Sequence, residues 1–210
     1  MIAVVCAVPA ERRALAGLAG PELSLHLAGV GAAAATRTAA ELPDGLRAIV
    51  SAGFCGALDP ALKVGALVVA DEVLDQATGD RFAADPVLLD AAPGLRGRLV
   101  TAERIARTPA DRALLDGTAV DMESAALARA AAERGTPFLA MRAVTDETRH
   151  RVPDFDRIMD SAGRLTPGAG LVHFVLHPRE VPALLRLGPA ARTAGHALRD
   201  GLARLVEAVR

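Results

Sequence analysis

Short apolar runs rich in Val, Ile and Leu alternate along the chain with Ala/Leu/Arg stretches of helical character. "IAVVCAV" (2–8) predicts a first strand that leads into a helix from about Ala10. "LSLHLAGVG" (23–31) turns through glycines into the helical "AAAATRTAAEL" (32–42). "LRAIVSAG" (46–53) predicts a further strand, closed by what reads as a glycine-rich turn, "GFCGALDP" (53–60). "ALVVADEVLD" (66–75) and "GRLVTAERIA" (97–106) read as two more strands. A helix is predicted from near Met122, punctuated by Gly135 and Pro137, and "FLAMRAV" (138–144) is a strand ending at "TDE". Apolar strands alternating with helices predict one α/β domain over 1–210, with a largely parallel or mixed central sheet flanked by helices. Neither an internal repeat nor a low-complexity linker divides it. Residues 176–210 stand apart as an Arg-rich, amphipathic C-terminal helical segment.

Composition narrows the picture. The chain is 51% hydrophobic but only 2% aromatic, so its core has to be built from Ala, Val and Leu. A net charge of −1 with both signs scattered leaves no electrostatic footprint for nucleic acid. Cys6 and Cys55 form no CxxC pair and sit in apolar runs, which reads as buried, reduced thiols of a cytoplasmic protein. The opening "MIAVVCAVPAERR" has no basic leader and is read as a strand instead of a signal peptide. No stretch long enough to span a bilayer is free of charge.

In sheets of this kind ligands bind beyond the carboxyl ends of the strands. That rule selects Glu11 after the first strand, Glu123 after the "TAV" run and Asp146 at the end of "FLAMRAV". Each also has a plain reading as a helix-start acid or a solvated loop charge. In "AVDMESAALARAAAERG" (119–135), Asp121 and Glu123 flank Met122, and the residues alone leave open whether the pair caps the helix or one carboxylate faces a ligand.

Other motifs lead away from cofactors. "GVGAAA" (29–34) matches a dinucleotide fingerprint, but the next strand ends in Ser51 where an acid should stand, so a tight strand-to-helix turn is the better reading. His173 and His177 in "HFVLH" lack a third ligand, so no metal is expected. Lys63, the only lysine, sits in a turn-like setting, and no GxSxG or Ser–His arrangement supports acyl chemistry. Three carboxylates with neither metal nor nucleophile do suit cleavage of a glycosidic bond. An oxocarbenium-like transition state there needs a leaving-group acid, a base for water, and partners for the sugar hydroxyls.

"VDMESAALARAAAERGTPFLAMRAVTDE" (120–147) resembles the purine nucleoside phosphorylase and methylthioadenosine/S-adenosylhomocysteine nucleosidase superfamily. "VPAE", "GVG", "SAGFCGALDPALKVGALVV" and "LVTAERIA" extend the resemblance over most of residues 1–150. The tail "FVLHPREVPALLRLGPAARTAGHALRDGL" (174–202) is similar to that of the hopanoid-associated branch, whose inferred substrate is adenosylhopane. The resemblance implies a three-layer fold, no cofactor, a small purine nucleoside as substrate, and a homodimer or higher homo-oligomer. It implies that Glu123 binds the ribose hydroxyls and that Met122 packs on the sugar. Asp146 would hold adenine and help protonate its N7, and Glu11 would serve as base for water. Ile105 and Ala106 would contact the base through backbone, and Gly53 and Phe54 belong to the substrate-binding glycine segment. Asp121 replaces a Glu of the relatives and is given no catalytic role.

One position departs from the family. Many relatives carry Ser or Thr after the first glycine of that segment, and phosphorylases use it on phosphate; here the residue is Phe54. The departure favours hydrolysis over phosphorolysis. Methylthioadenosine/S-adenosylhomocysteine nucleosidase and purine nucleoside phosphorylase are the alternative activities. A non-catalytic nucleoside-binding module is the rival class, since a fold alone does not fix function. The 176–210 segment, with a net charge of +3 from residue 176 on, has two readings: a helix packed on the domain's own core, or a peripheral contact with the inner membrane face.

Overall fold

The computed structural model describes residues 1–154, 177 and 180–210. Among the described residues there are eight strands: β1 (Ile2–Cys6), β2 (Leu23–Leu27), β3 (Ala48–Ala57), β4 (Leu67–Asp75), β5 (Arg81–Ala83), β6 (Leu95–Thr101), β7 (Ala119–Asp121) and β8 (Phe138–Asp146). Helices α1 (Pro9–Leu15), α2 (Ala32–Glu41), α3 (Pro86–Ala91), α4 (Pro109–Ala113), α5 (Ser124–Glu133) and α6 (Val181–Ala208) connect or cover them. The strands join in the order β2-β1-β3-β7-β6-β4-β5, and β8 pairs with both β3 and β4. Strands β3, β8, β4, β6 and β7 therefore close into a ring, because β3 reaches β8 along its length and β7 with its last residues. The sheet is mixed: β3–β7, β4–β5 and β4–β8 run antiparallel, and the remaining pairs are parallel.

Side chains alternate between two apolar layers. Ala3 and Val5 of β1 and Ala140 and Val144 of β8 face α2 and α5. Val4 and Cys6, with Leu139 and Met141, face α1, α3 and α6. Small residues let the helices come close: Ala35 and Ala39 of α2 share a layer with Ala128 and Ala131 of α5. A core of Ala, Val and Leu is thus what the fold contains, as the composition required.

One feature differs from the sequence reading. The segment 53–57 is not a turn but the end of β3. Its glycines Gly53 and Gly56 do not adopt positive φ; they leave room for side chains from neighbouring strands, as described below. The glycines of 29–31 do turn, with φ of 96° at Gly29 and 92° at Gly31, and α2 starts at the next residue.

The C-terminal helix packs on the domain. Leu198, Leu202 and Leu205 of α6 are fully buried with Leu15, Val4 and Met141, so this stripe is not available to a bilayer. Among the described residues no helix is long and apolar enough to cross a membrane. Leu198→Ala is expected to cost about 2–5 kcal/mol, because it opens a cavity in a filled layer. Chemical denaturation checks this; a change under about 0.5 kcal/mol, as at an exposed position, would mean that α6 contributes little to the core.

Candidate active site

At the carboxyl ends of β1, β7 and β8 lies a cleft of about 210 Å³. Glu11, Phe54, Ile105, Ala106, Met122, Glu123 and Asp146 all line it. The structure thus brings together every residue singled out in the sequence except Gly53, which stands behind the wall. His173 lies outside the described residues, and among those described no cluster could hold a metal ion.

Glu11 is buried on the first turn of α1. Its Oε2 accepts hydrogen bonds from the backbone N–H of Ala7 at 2.8 Å and Val8 at 3.0 Å, and Oε1 accepts from Phe54 N–H at 2.7 Å. It therefore acts as a helix-start acid and still presents itself to the cleft. Burial raises its proton affinity, against which the Arg142 charge and the three N–H donors act.

The pair around Met122 divides its work. Asp121 Oδ2 accepts from Ser124 N–H at 3.1 Å, and Thr101 Oγ1 donates to Asp121 Oδ1 at 2.7 Å. Asp121 is thus the acid that caps α5. Glu123 makes no cap bond. Its Oε1 instead accepts from Gly31 N–H at 2.8 Å, so the glycine turn offers α2's first free donor to a carboxylate across the fold. Burial raises the Glu123 pKa to about 7, helped by the neighbouring Asp121 charge and opposed by Arg142.

Two buried arginines were not anticipated from the sequence. Arg142, central in β8, is 1% exposed. Its Nη2 lies 2.6 Å from Asp121 Oδ2, 2.6 Å from Ser51 Oγ, 3.0 Å from Ser124 Oγ and 3.8 Å from Glu123 Oε2. Its cross-strand neighbour is Gly53. A Cβ on Gly53 would stand 2.3 Å from Arg142 Nη1 and 2.7 Å from Glu11 Oε1, so only glycine fits there. Arg112 of α4, also buried, donates from Nε to Ala106 O at 3.1 Å and from Nη1 to Glu147 O, while Nη2 pairs with Asp146 Oδ2. Thr145 Oγ1 donates to the other Asp146 oxygen at 2.8 Å. Burial raises the Asp146 pKa and the Arg112 charge opposes it. A lone Arg inside an apolar strand was the available signal for Arg142; "TPADRALL" offers none for Arg112.

A three-layer α/β fold that gathers carboxylates and their guanidinium counter-charges at its strand ends is the frame of an acid–base enzyme for a small ligand. The particular family follows from comparison. The phosphorylase superfamily model matches residues 3–116 and 83–167, and the chain belongs to this superfamily. A 5′-methylthioadenosine/S-adenosylhomocysteine nucleosidase of Geobacillus thermodenitrificans is 30% identical over 161 residues, covering 61% of this chain and 68% of the relative. The Geobacillus kaustophilus nucleosidase matches to the same extent. Among solved structures, the Neisseria meningitidis nucleosidase in complex with methylthio-immucillin-A superimposes with a TM-score of 0.73 at 20% identity, over 98% of both chains. Futalosine hydrolase of Helicobacter pylori gives 0.75 at 14% identity, over 98% of this chain and 97% of that one. At such identities these two establish the shared fold.

The raised Glu123 pKa makes a prediction with a definite sign. The folded chain holds that proton more tightly than the unfolded chain, so this group's contribution is present below its ordinary 4.5 and lost as pH rises through about 7. Glu123→Gln removes the penalty, and its thermal midpoint is expected to gain on the parent protein between pH 5 and pH 8. A midpoint lowered equally at both values would instead mark Glu123 as a structural acid.

Proposed function

We propose that the protein is an N-glycosidase that cleaves the adenine–ribose bond of a 5′-substituted adenosine, with water as the nucleophile. The observation that carries this reading is the convergence of Glu11, Glu123 and Asp146, from three strand ends, on one cleft. Glu123 binds the ribose hydroxyls; a carboxylate accepts stronger hydrogen bonds from them than a neutral group does. Met122 packs on the sugar, and Phe54, Ile105 and Ala106 frame the base and ribose. Glu11 takes the proton of the attacking water as its oxygen bonds to C1′. Asp146 supplies the proton to N7 that lets adenine leave with the electron pair of its broken C1′–N9 bond, and Arg112 and Thr145 fix the orientation of its carboxyl. Gly53 takes part indirectly, by letting Arg142 and Glu11 approach each other.

The cleft's electrostatics support water over phosphate. Among the described residues, Arg104 at the mouth is the one cation in a lining that holds Glu11, Asp121, Glu123 and Asp146. The Phe54 N–H is already given to Glu11, and the Phe54 side chain has no donor for an anion. Against this lining a phosphate dianion would meet mostly carboxylates.

For the 5′ substituent, the similarity of residues 174–202 to the hopanoid-associated branch supports adenosylhopane, a lipid-linked substrate. The identity to the Geobacillus nucleosidases favours a second reading, methylthioadenosine or S-adenosylhomocysteine. Incubating the protein with each nucleoside and measuring free adenine separates the two. Release from none of them would overturn the assignment.

Asp146→Asn is expected to lower turnover roughly 10²–10⁴-fold, the usual effect of losing a general acid, with the thermal transition retained. Unchanged turnover would move the role elsewhere, first to Glu147. Release of adenine is expected to proceed equally with and without added phosphate. A sugar 1-phosphate detected by mass spectrometry would show phosphorolysis instead.

A further inference from the structure

A second concavity, of about 560 Å³, runs between α1 and α6 on a different face of α1 from Glu11. Small residues form its floor: Ala10 and Ala14 of α1, with Ala191 and Gly195 of α6. Its walls carry Arg13, Arg192, His196 and Arg199, and among the described residues no carboxylate lines it. On α6 the three basic positions recur at helical spacing and so share one face. Elsewhere Arg98, Arg107, Arg112, Arg129 and Arg142 each hold an acid, although other surface arginines such as Arg12 and Arg37 do not. Arg13, Arg192 and Arg199 take part in no ion pair among the described residues.

A chain with a net charge of −1 thus concentrates three unpaired guanidiniums and an imidazole around one hollow. Their mutual repulsion is relieved by a multivalent anion. Guanidinium forks match the oxygens of a phosphate in pairs, and the small floor leaves the hollow open to receive one. We propose that this groove binds a phosphate-bearing anion, at a site separate from the cleft. The chemistry is shared by a soluble phosphorylated molecule and by the headgroup of an anionic lipid.

Calorimetric titration of the full chain with inorganic pyrophosphate tests the site, and sedimentation with phosphatidylglycerol or phosphatidylcholine vesicles tests the source. Pyrophosphate binding is expected at low salt, weakening about tenfold or more in R192E/R199E, the loss expected when charge-assisted hydrogen bonds go. It should fall at high salt and persist in R37E, a charge reversal on α2 away from the groove. R192Q/R199Q, which only neutralises, should lose affinity to a smaller degree and guards against misfolding of the reversed variant. Sedimentation with phosphatidylglycerol alone, abolished in R192E/R199E, would identify a lipid headgroup as the source. Pyrophosphate binding without sedimentation would identify a soluble anion. The proposal is overturned if pyrophosphate binds the parent protein and both groove variants equally, or not at all, and no vesicle discriminates between them.

Discussion

The site depends on one guanidinium buried where a strand side chain should be apolar. Arg142 lies in β8 on the face that Ala140 and Val144 give to the core. Its charge acts on Asp121, Glu123 and Glu11 together. Without it, three buried carboxylates would have to lose protons against their own repulsion and a low dielectric. With it, Asp121 is ion-paired outright and Glu123, further off at 3.8 Å, keeps a raised pKa. A buried ion pair of this kind is a poor source of net stability. Its effect is to fix where the negative charge of the cleft resides.

Accommodating that side chain shapes the backbone around it. The guanidinium overlies its neighbour in β3, so that neighbour is Gly53, and Ser51 on the same face supplies a hydroxyl. Further along β3, a Cβ on Gly56 would meet Asp146 Oδ2 at 2.9 Å. The β3–β8 register slips between Cys55 and Gly56. Past the stretch paired with β1, the last residues of β3 pair with β7 while Gly56 still pairs with Asp146 of β8, which closes the ring and sets Asp121 and Glu123 beside Asp146. Glycine's lack of a side chain, more than its backbone freedom, is what these positions use.

The layers and the strand-end acids were legible because they follow from local pattern. Apolar runs alternated with helical stretches, and the switch from strand to helix located Glu11, Glu123 and Asp146. The ring closure was not legible: it needs the end of β3 to pair with β7 and the antiparallel β4–β8 pairing, and neither leaves a local mark. The reading of 53–60 as a turn failed because glycines that make a turn and glycines that clear space look alike in sequence. Arg112 illustrates a further limit. It sits on a short, apparently solvated helix, and only the fold carries it to Asp146. The question left open by "DMES", whether the pair caps the helix or one acid turns elsewhere, needed the position of Arg142, because the guanidinium binds Asp121 closely while Glu123 reaches the cleft.

The balance of charge also bears on the proposed reaction. Around the cleft, Glu11, Asp121, Glu123 and Asp146 face the charges of Arg104, Arg112 and Arg142. Fully ionised, the set carries one negative charge more than positive. Burial opposes that last ionisation, and the raised pKa of Glu123 records the opposition. A neutral nucleoside in its ground state gains little from such a site. A ribosyl ring that develops positive charge as its bond to adenine lengthens gains more, because it supplies the missing counter-charge in a low-dielectric setting. Only an interaction that strengthens on the way to the transition state accelerates the chemistry, and an excess of buried negative charge beside the sugar has that property. A phosphate nucleophile would bring further negative charge to the same place. Electrostatics that favour an oxocarbenium-like ribosyl group therefore also favour a neutral water as its partner.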